Sequence, residues 1–266
     1  MDLRQALKSD FGIEVLVAEG EGLRTSPWVI EPCSADDATR TQLNVFRGLC
    51  RGRRELWRLL QAEPAVDVGN HIHRLRLETI SFTADKIFTE TRAYYFDVSH
   101  VHGTPNAATP PPAWSDTRVS FTAAPQIGWL HFDQTIDNSR DQHLDVTLLY
   151  SGWGAKAAIY VYEPSDRPKL QAPFRDVRES ELSAVCDHIL TLHPTALTPW
   201  QPHLVEPFLL RHLLIQDDMS VAGVAVDGAY FVKLRLTYFD DIKMRSLMNE
   251  TIAELCSSIN RPRALI

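Results

Sequence analysis

The sequence predicts an α+β protein in which antiparallel sheet carries helices packed on one face. Three observations predict it. β-Branched and aromatic residues recur in strand-length runs joined by short turns. Helical spacing of apolar residues is confined to a few stretches, and the strands are joined mostly by short hairpins rather than by the crossover helices that parallel pairing requires. A strand-strand-helix order also occurs twice, over residues 143–192 and 208–259, which reads as a diverged duplication.

Leu3, Ala6 and Leu7 fit a short opening helix that stops near Phe11-Gly12, and residues 13–17 and 28–31 read as strands. Ser34-Ala35-Asp36-Asp37 has the chemistry of a helix start, with acids beside the positive end of the dipole. Leu43, Phe46, Cys50, Trp57 and Leu60 recur at helical spacing, predicting a helix over 36–60, in which Gly48 and Gly52 mark a kink or close packing. Residues 71–81 and 86–99 form a predicted hairpin turning at Thr83-Ala84-Asp85. Pro110-Pro111-Pro112 lies in a loop, and 117–123 and 127–132 are further strands. Ser151-Gly152-Trp153-Gly154 joins strands 143–150 and 155–162 as a tight hairpin. A helix then carries Leu182, Val185, Cys186, Ile189 and Leu192, and Pro194 stops it. Strands follow at 208–215, 221–226 and 230–238, then a helix over 241–259 with Asp240 and Asp241 as its caps. The proline cluster from Pro194 to Pro207 suggests a linker, so the expected segments are 1–64, 65–196 and 197–266, which together can form one domain.

Composition narrows the function classes. The chain has 266 residues, 44% of them hydrophobic and 23% charged, unlike a disordered or disulfide-scaffold protein. A chain of this length buries roughly 70–75% of its unfolded surface, enough to fold without metal or disulfide staples. Against 27 Lys and Arg stand 34 Asp and Glu, a net charge of −7 that disfavours nucleic acid. Arg47, Arg51, Arg53, Arg54 and Arg58 concentrate early in the chain, so the acidic excess belongs to the strand-rich remainder. No secretory signal pattern and no bilayer-length apolar run is present, predicting a cytoplasmic protein off the membrane. The four cysteines, scattered without a CxxC pair, are expected to be reduced.

Tyr150–Glu163 (YSGWGAKAAIYVYE) and Tyr230–Arg235 (YFVKLR) are similar to segments of uncharacterised bacterial proteins with small antiparallel sheets and a helix. The resemblance covers about a third of the chain. It implies a bacterial origin and the α+β class, and it implies no activity.

Histidine placement is the most distinctive chemical feature. His71 with His73, and His100 with His102, are i, i+2 pairs that a strand would point to one side as two metal ligands. His131-x-Asp133 and His143-x-Asp145 repeat the spacing. Zinc or manganese would suit such ligands, although HExxH and zinc-finger spacings are absent, and polar strand residues explain the pairs more simply. Arg47, Arg51, Arg54 and Arg58 would share one face of a continuous helix, as a solvated ion-pair face or a contact for acidic groups. GxxxxGK[ST], GxSxG and GxGxxG are all missing, and Cys33 is the least core-like thiol. Asp36-Asp37, Asp217-Asp218 and Asp240-Asp241 read as caps and turns. Trp114, Trp153 and Trp200 fall in loops or turns, as contact residues for a partner or as lids on the core. Without a catalytic motif, the expectation is a protein-binding protein of immunity, adaptor or chaperone type with no cofactor. Its partner would be basic, met by Trp114, Trp153, Trp200, Asp217 and Asp218. The alternatives are a metal-dependent hydrolase using the His and Asp pairs, and a homo-oligomeric secretion or assembly subunit joined through a strand edge.

Overall fold

Pro110, Pro111 and Pro112 have fixed φ and no N–H to give to a ladder. In this computed structural model they stand at the border between two units, Met1–Pro111 and Pro112–Ile266. Residues 3–69, 71–83, 86–140, 143–164 and 174–259 are described. The borders expected at 64 and 196 fall inside these units. Strand pairing accounts for this: Pro64 lies opposite His73, and the strand ending at Tyr162 pairs with the one starting at Tyr230.

The first unit contains α1 (Leu3–Phe11), β1 (Val17–Glu19), β2 (Trp28–Ile30), β3 (Cys33–Ser34), α2 (Ala35–Arg53), β4 (Glu55–Pro64), β5 (Ile72–Phe82), β6 (Ile87–Asp97) and β7 (Val101–His102). Its main sheet has the order β1-β2-β6-β5-β4, antiparallel except between β2 and β6. β5 and β6 form the expected hairpin, whose turn residues Ala84 and Asp85 lie outside the described residues. Ser34 starts α2 as expected: its Oγ accepts from Asp37 N at 3.2 Å and donates to the Asp37 carboxylate at 2.7 Å.

α2 ends earlier than its apolar spacing predicts. Arg54 takes a left-handed conformation (φ 58°), and its N–H closes the last turn on Arg51 and Cys50. The next ten residues pair with β5, and Trp57 meets Phe46 edge-on at 5.7 Å from across the core. The predicted arginine face is therefore divided. Arg47 and Arg51 are helical, Arg54 is the cap, and Arg58 on β4 donates to Glu78 at 2.7 Å. Gly48 marks close packing, since a Cβ there would come 2.3 Å from Leu7 of α1. Val45, Phe46 and Cys50 of α2 share one core with Trp28, Leu75, Leu77 and Phe96.

The second unit contains β8 (Trp114–Ser115), β9 (Thr122–Ala123), β10 (Gln126–Ile127), β11 (Leu130–Asp137), β12 (Asp145–Gly152), β13 (Ala155–Tyr162), α3 (Phe174–Leu192), β14 (His203–Val205), β15 (Phe208–Ile215), β16 (Asp218–Asp227), β17 (Tyr230–Phe239) and α4 (Ile242–Ile259). The strand predicted over 117–123 is mostly loop. Asp227 draws its backbone away from any ladder, accepting from Ser120 N at 2.6 Å and Phe121 N at 2.8 Å. An eight-stranded antiparallel sheet runs β10-β11-β12-β13-β17-β16-β15-β14. The expected repeat of order is present in fuller form. Three strands and a helix (β11-β12-β13-α3) recur as β15-β16-β17-α4, and the two meanders join along β13 and β17.

Side-chain alternation assigns the helices of this unit to opposite faces rather than the one face expected. Ala222, Val224 and Phe231 pack with Val177, Leu182, Cys186 and Ile189 of α3. Leu234 and Leu236, on the other side of β17, line one small void with Ala157, Ile159 and Thr251, Ile252 and Leu255 of α4. α3 thus covers the second meander on one face, while α4 lies on the opposite face across strands of both meanders. The antiparallel α+β class holds, and among the described residues no helix is long and apolar enough to cross a membrane.

Candidate functional site

Three segments distant in sequence meet at one end of the larger sheet. Trp153-Gly154 is the two-residue turn between β12 and β13. Gly154 has φ +70°, and a Cβ there would come 2.4 Å from the Phe239 ring. Gln216-Asp217 is the turn between β15 and β16, with Gln216 at φ 56°. β17 runs between these turns. Ala155 and Met219 both face Tyr238, and Asp218 faces Phe239. Hydrogen bonds tie the three together, from Phe239 N to Gly154 O at 3.3 Å and from Asp240 N to Asp217 O at 3.0 Å.

α4 begins on the same end. Asp241 caps it, accepting from Lys243 N at 2.7 Å and Met244 N at 3.1 Å. Asp240, the other predicted cap, is instead clasped by Arg245 at 2.5 and 2.6 Å, which holds its carboxyl below the usual range. Ile242 in the first helical turn is 84% exposed, the largest exposure of any large hydrophobic among the described residues. Trp153 and Phe239 meet edge-on at 5.4 Å, each half-buried. Asp217 and Asp218 are exposed. Lys156 follows the first turn and Lys243 follows Ile242, so this end of the sheet carries charges of both signs.

Of the five residues expected to meet a partner, Trp153, Asp217 and Asp218 come together. Trp114 lies on β8 against Phe121 (6.2 Å), and Trp200 packs against His212 (6.1 Å), which is stacked on His203. Ile242 and Phe239 were not singled out by sequence. A helical wheel contains the signal: Met248, Ile252, Leu255 and Ile259 mark the buried stripe, whereas Ile242 shares a face with Arg245, Ser246 and Asn249.

The histidine pairs do not converge. His73 is buried, while His71 is exposed, 3.8 Å from Asp97. His100 and His102 are exposed on the turn and bridge after β6. His131 is buried, and His143 meets Glu163 at 3.0 Å. Among the described residues no three of His, Cys, Asp and Glu stand where they could share a metal ion. The cysteines are free thiols. Burial, then Asp37 and Glu31, push the Cys33 thiol up, which opposes a nucleophilic role.

Two histidines give the fold an acid-sensitive component. Burial lowers the pKa of His73 from 6.5, and burial, then His203 and Arg245, lower that of His212. The unfolded chain therefore takes up protons first. Stability from these groups is complete above the unfolded pKa and declines as pH falls from there towards the folded values. Thermal melts should show a lower midpoint at about pH 5.5 than at about pH 7.5, with a shallower dependence in His73→Gln. An unaltered slope in that variant would assign the effect elsewhere.

No family model, no curated protein and no solved structure matches this chain.

Proposed function

We propose that this chain is a protein-binding protein that docks a basic partner on the sheet end formed by Trp153, Asp217, Asp218 and Ile242. The observation that carries the reading is the 84% exposure of Ile242, three residues beyond Phe239, whose ring meets Trp153 and whose backbone pairs with exposed Asp218. Folding gains nothing from an apolar side chain left in water, whereas association does. A central apolar anchor supplies most of the energy of an interface, and charges around it steer encounter and select the partner. The rigid hairpin turns present these groups with little ordering cost.

An adaptor, immunity-like or chaperone-like role in the cytoplasm fits a surface of this kind, without catalysis or nucleic acid. The alternative of a metal-dependent hydrolase draws no support from the described histidines. Homo-oligomerisation through a strand edge is disfavoured at the β10 end of the larger sheet, where two-residue β10 pairs only with Leu130 and His131 and the rest of β11 carries Asp133 and Asp137.

The test is affinity capture with the wild-type chain and with an Ile242→Asp, Asp217→Lys, Asp218→Lys variant, followed by titration of the captured protein. A basic partner is expected, binding with one-to-one stoichiometry, weakened by salt and reduced about a hundredfold in the variant. A partner that binds both forms equally, or one that is acidic, would sink the reading.

A further inference from the structure

The second unit contains a cleft of about 630 Å³ between α3, β15 and the segment before β14. That volume matches a small-molecule site. Leu182 of α3 and Leu209 of β15 form its apolar walls, with Leu204 half-exposed at the rim. Two arginines line it, Arg178 from α3 and Arg211 from β15.

Both arginines are incompletely satisfied. The Nε of Arg178 and the Nε of Arg211 are buried without a hydrogen-bond partner among the described residues. Arg178 Nη1 donates to the Pro207 carbonyl at 2.8 Å, and its side chain is only 16% exposed. The same nitrogen forms a loose ion pair with the exposed Glu206 carboxylate at 3.6 Å, too long for a hydrogen bond. Arg211 reaches the buried Cys186 thiol, a weak acceptor. A guanidinium is always charged and offers donors in a fixed fork, so two of them in one cleft create an unmet demand for oxyanion oxygens. Ser183 adds a hydroxyl at the mouth, and Glu179 stands on the rim, exposed.

We infer that this cleft binds a small organic anion, its oxyanion head between Arg178 and Arg211 and its apolar body against Leu182, Leu204 and Leu209. A carboxylate and a phosphate share the recognition chemistry, since both match the arginine fork. The apolar walls distinguish such a ligand from inorganic ions, which have nothing to place there. The cleft is formed by residues other than those of the Ile242 surface, so either reading can fail without the other.

The experiment is calorimetric titration of the full chain with hexyl phosphate and with octanoate, using 1-hexanol as the uncharged control. At least one anion is expected to bind with a dissociation constant below about 1 mM, and hexanol about tenfold more weakly or not at all. The tighter anion identifies the head group. Arg178→Gln should weaken binding about tenfold or more, since a charge-assisted contact is lost. That variant also loses the bond to Pro207, so Ser183→Trp provides a second route. It fills the mouth from an exposed position, leaves both arginines in place, and should abolish binding. Absence of binding by either anion, equal binding of hexanol, or binding unchanged in Ser183→Trp would each overturn the inference.

Discussion

Replacing Arg92 by leucine should destabilise the first unit by about 3–5 kcal/mol, the cost of leaving a buried charge without its partner. Glu55 opens β4 on the face that also carries Trp57, and its side chain is only 5% exposed. Arg92 holds it with two bonds, at 2.7 and 2.9 Å, and Ser81 adds a third at 3.0 Å. Leucine keeps most of the volume and removes the charge, so the carboxylate would retain only the serine hydroxyl. A double variant, Glu55→Gln with Arg92→Leu, removes the stranded charge and should recover more than half of the loss. Urea denaturation checks the magnitude, and hydrogen exchange across residues 55–97 checks the location. Equal losses in the single and double variants would show that the stranded carboxylate is not the cause.

Gly128→Ala should cost about 3 kcal/mol or more in the second unit, through two effects that a control can separate. Gly128 has φ +56°, a region in which alanine is strained by about 1–2 kcal/mol. An added Cβ would also lie 2.5 Å from Thr251 Oγ and 2.7 Å from Thr251 Cα. The second contact is with the backbone of α4, so no rotamer relieves it. Thr251 Oγ accepts from Trp129 N at 3.2 Å and donates to Leu247 O at 2.9 Å, so displacing it disturbs the seat of the helix. Gly228→Ala isolates the conformational part, because Gly228 has φ +62° with no atom near its missing Cβ. The melting midpoint should fall clearly further for the Gly128 variant, with faster exchange along α4. Similar midpoints would show that the helix contact contributes little.

What could be read from sequence was local. The β5–β6 and β12–β13 hairpins, β15 and α4 were legible because strand pattern, turn residues and caps lie within a few residues of one another. The end of α2 was not. Trp57 and Leu60 continue a helical spacing, and only pairing with β5 shows that they belong to a strand. The union of β13 with β17 was equally out of reach, because nothing in either strand specifies a partner some seventy residues away. For the same reason the site was half legible. Trp153 and Asp217-Asp218 are conspicuous in their turns, whereas Ile242 becomes notable only when the fold leaves it exposed just beyond Phe239, which pairs with Asp218. Arg178 and Arg211 carried no signal at all, since their meaning depends on Nε atoms that the fold buries without a hydrogen-bond partner among the described residues.

The packing of α3 on strands that follow it, and of α4 across both meanders, has a consequence for synthesis of the protein. When the ribosome has completed α3, the strands that helix will cover have not yet been made. The first meander likewise waits for α4, the last element described, before one of its faces is sealed. The second unit therefore has no point at which a growing chain can settle its first half and proceed. A transcript truncated after α3 should give a product that aggregates or is degraded rather than a folded fragment, and supplying the rest as a separate chain should rescue it.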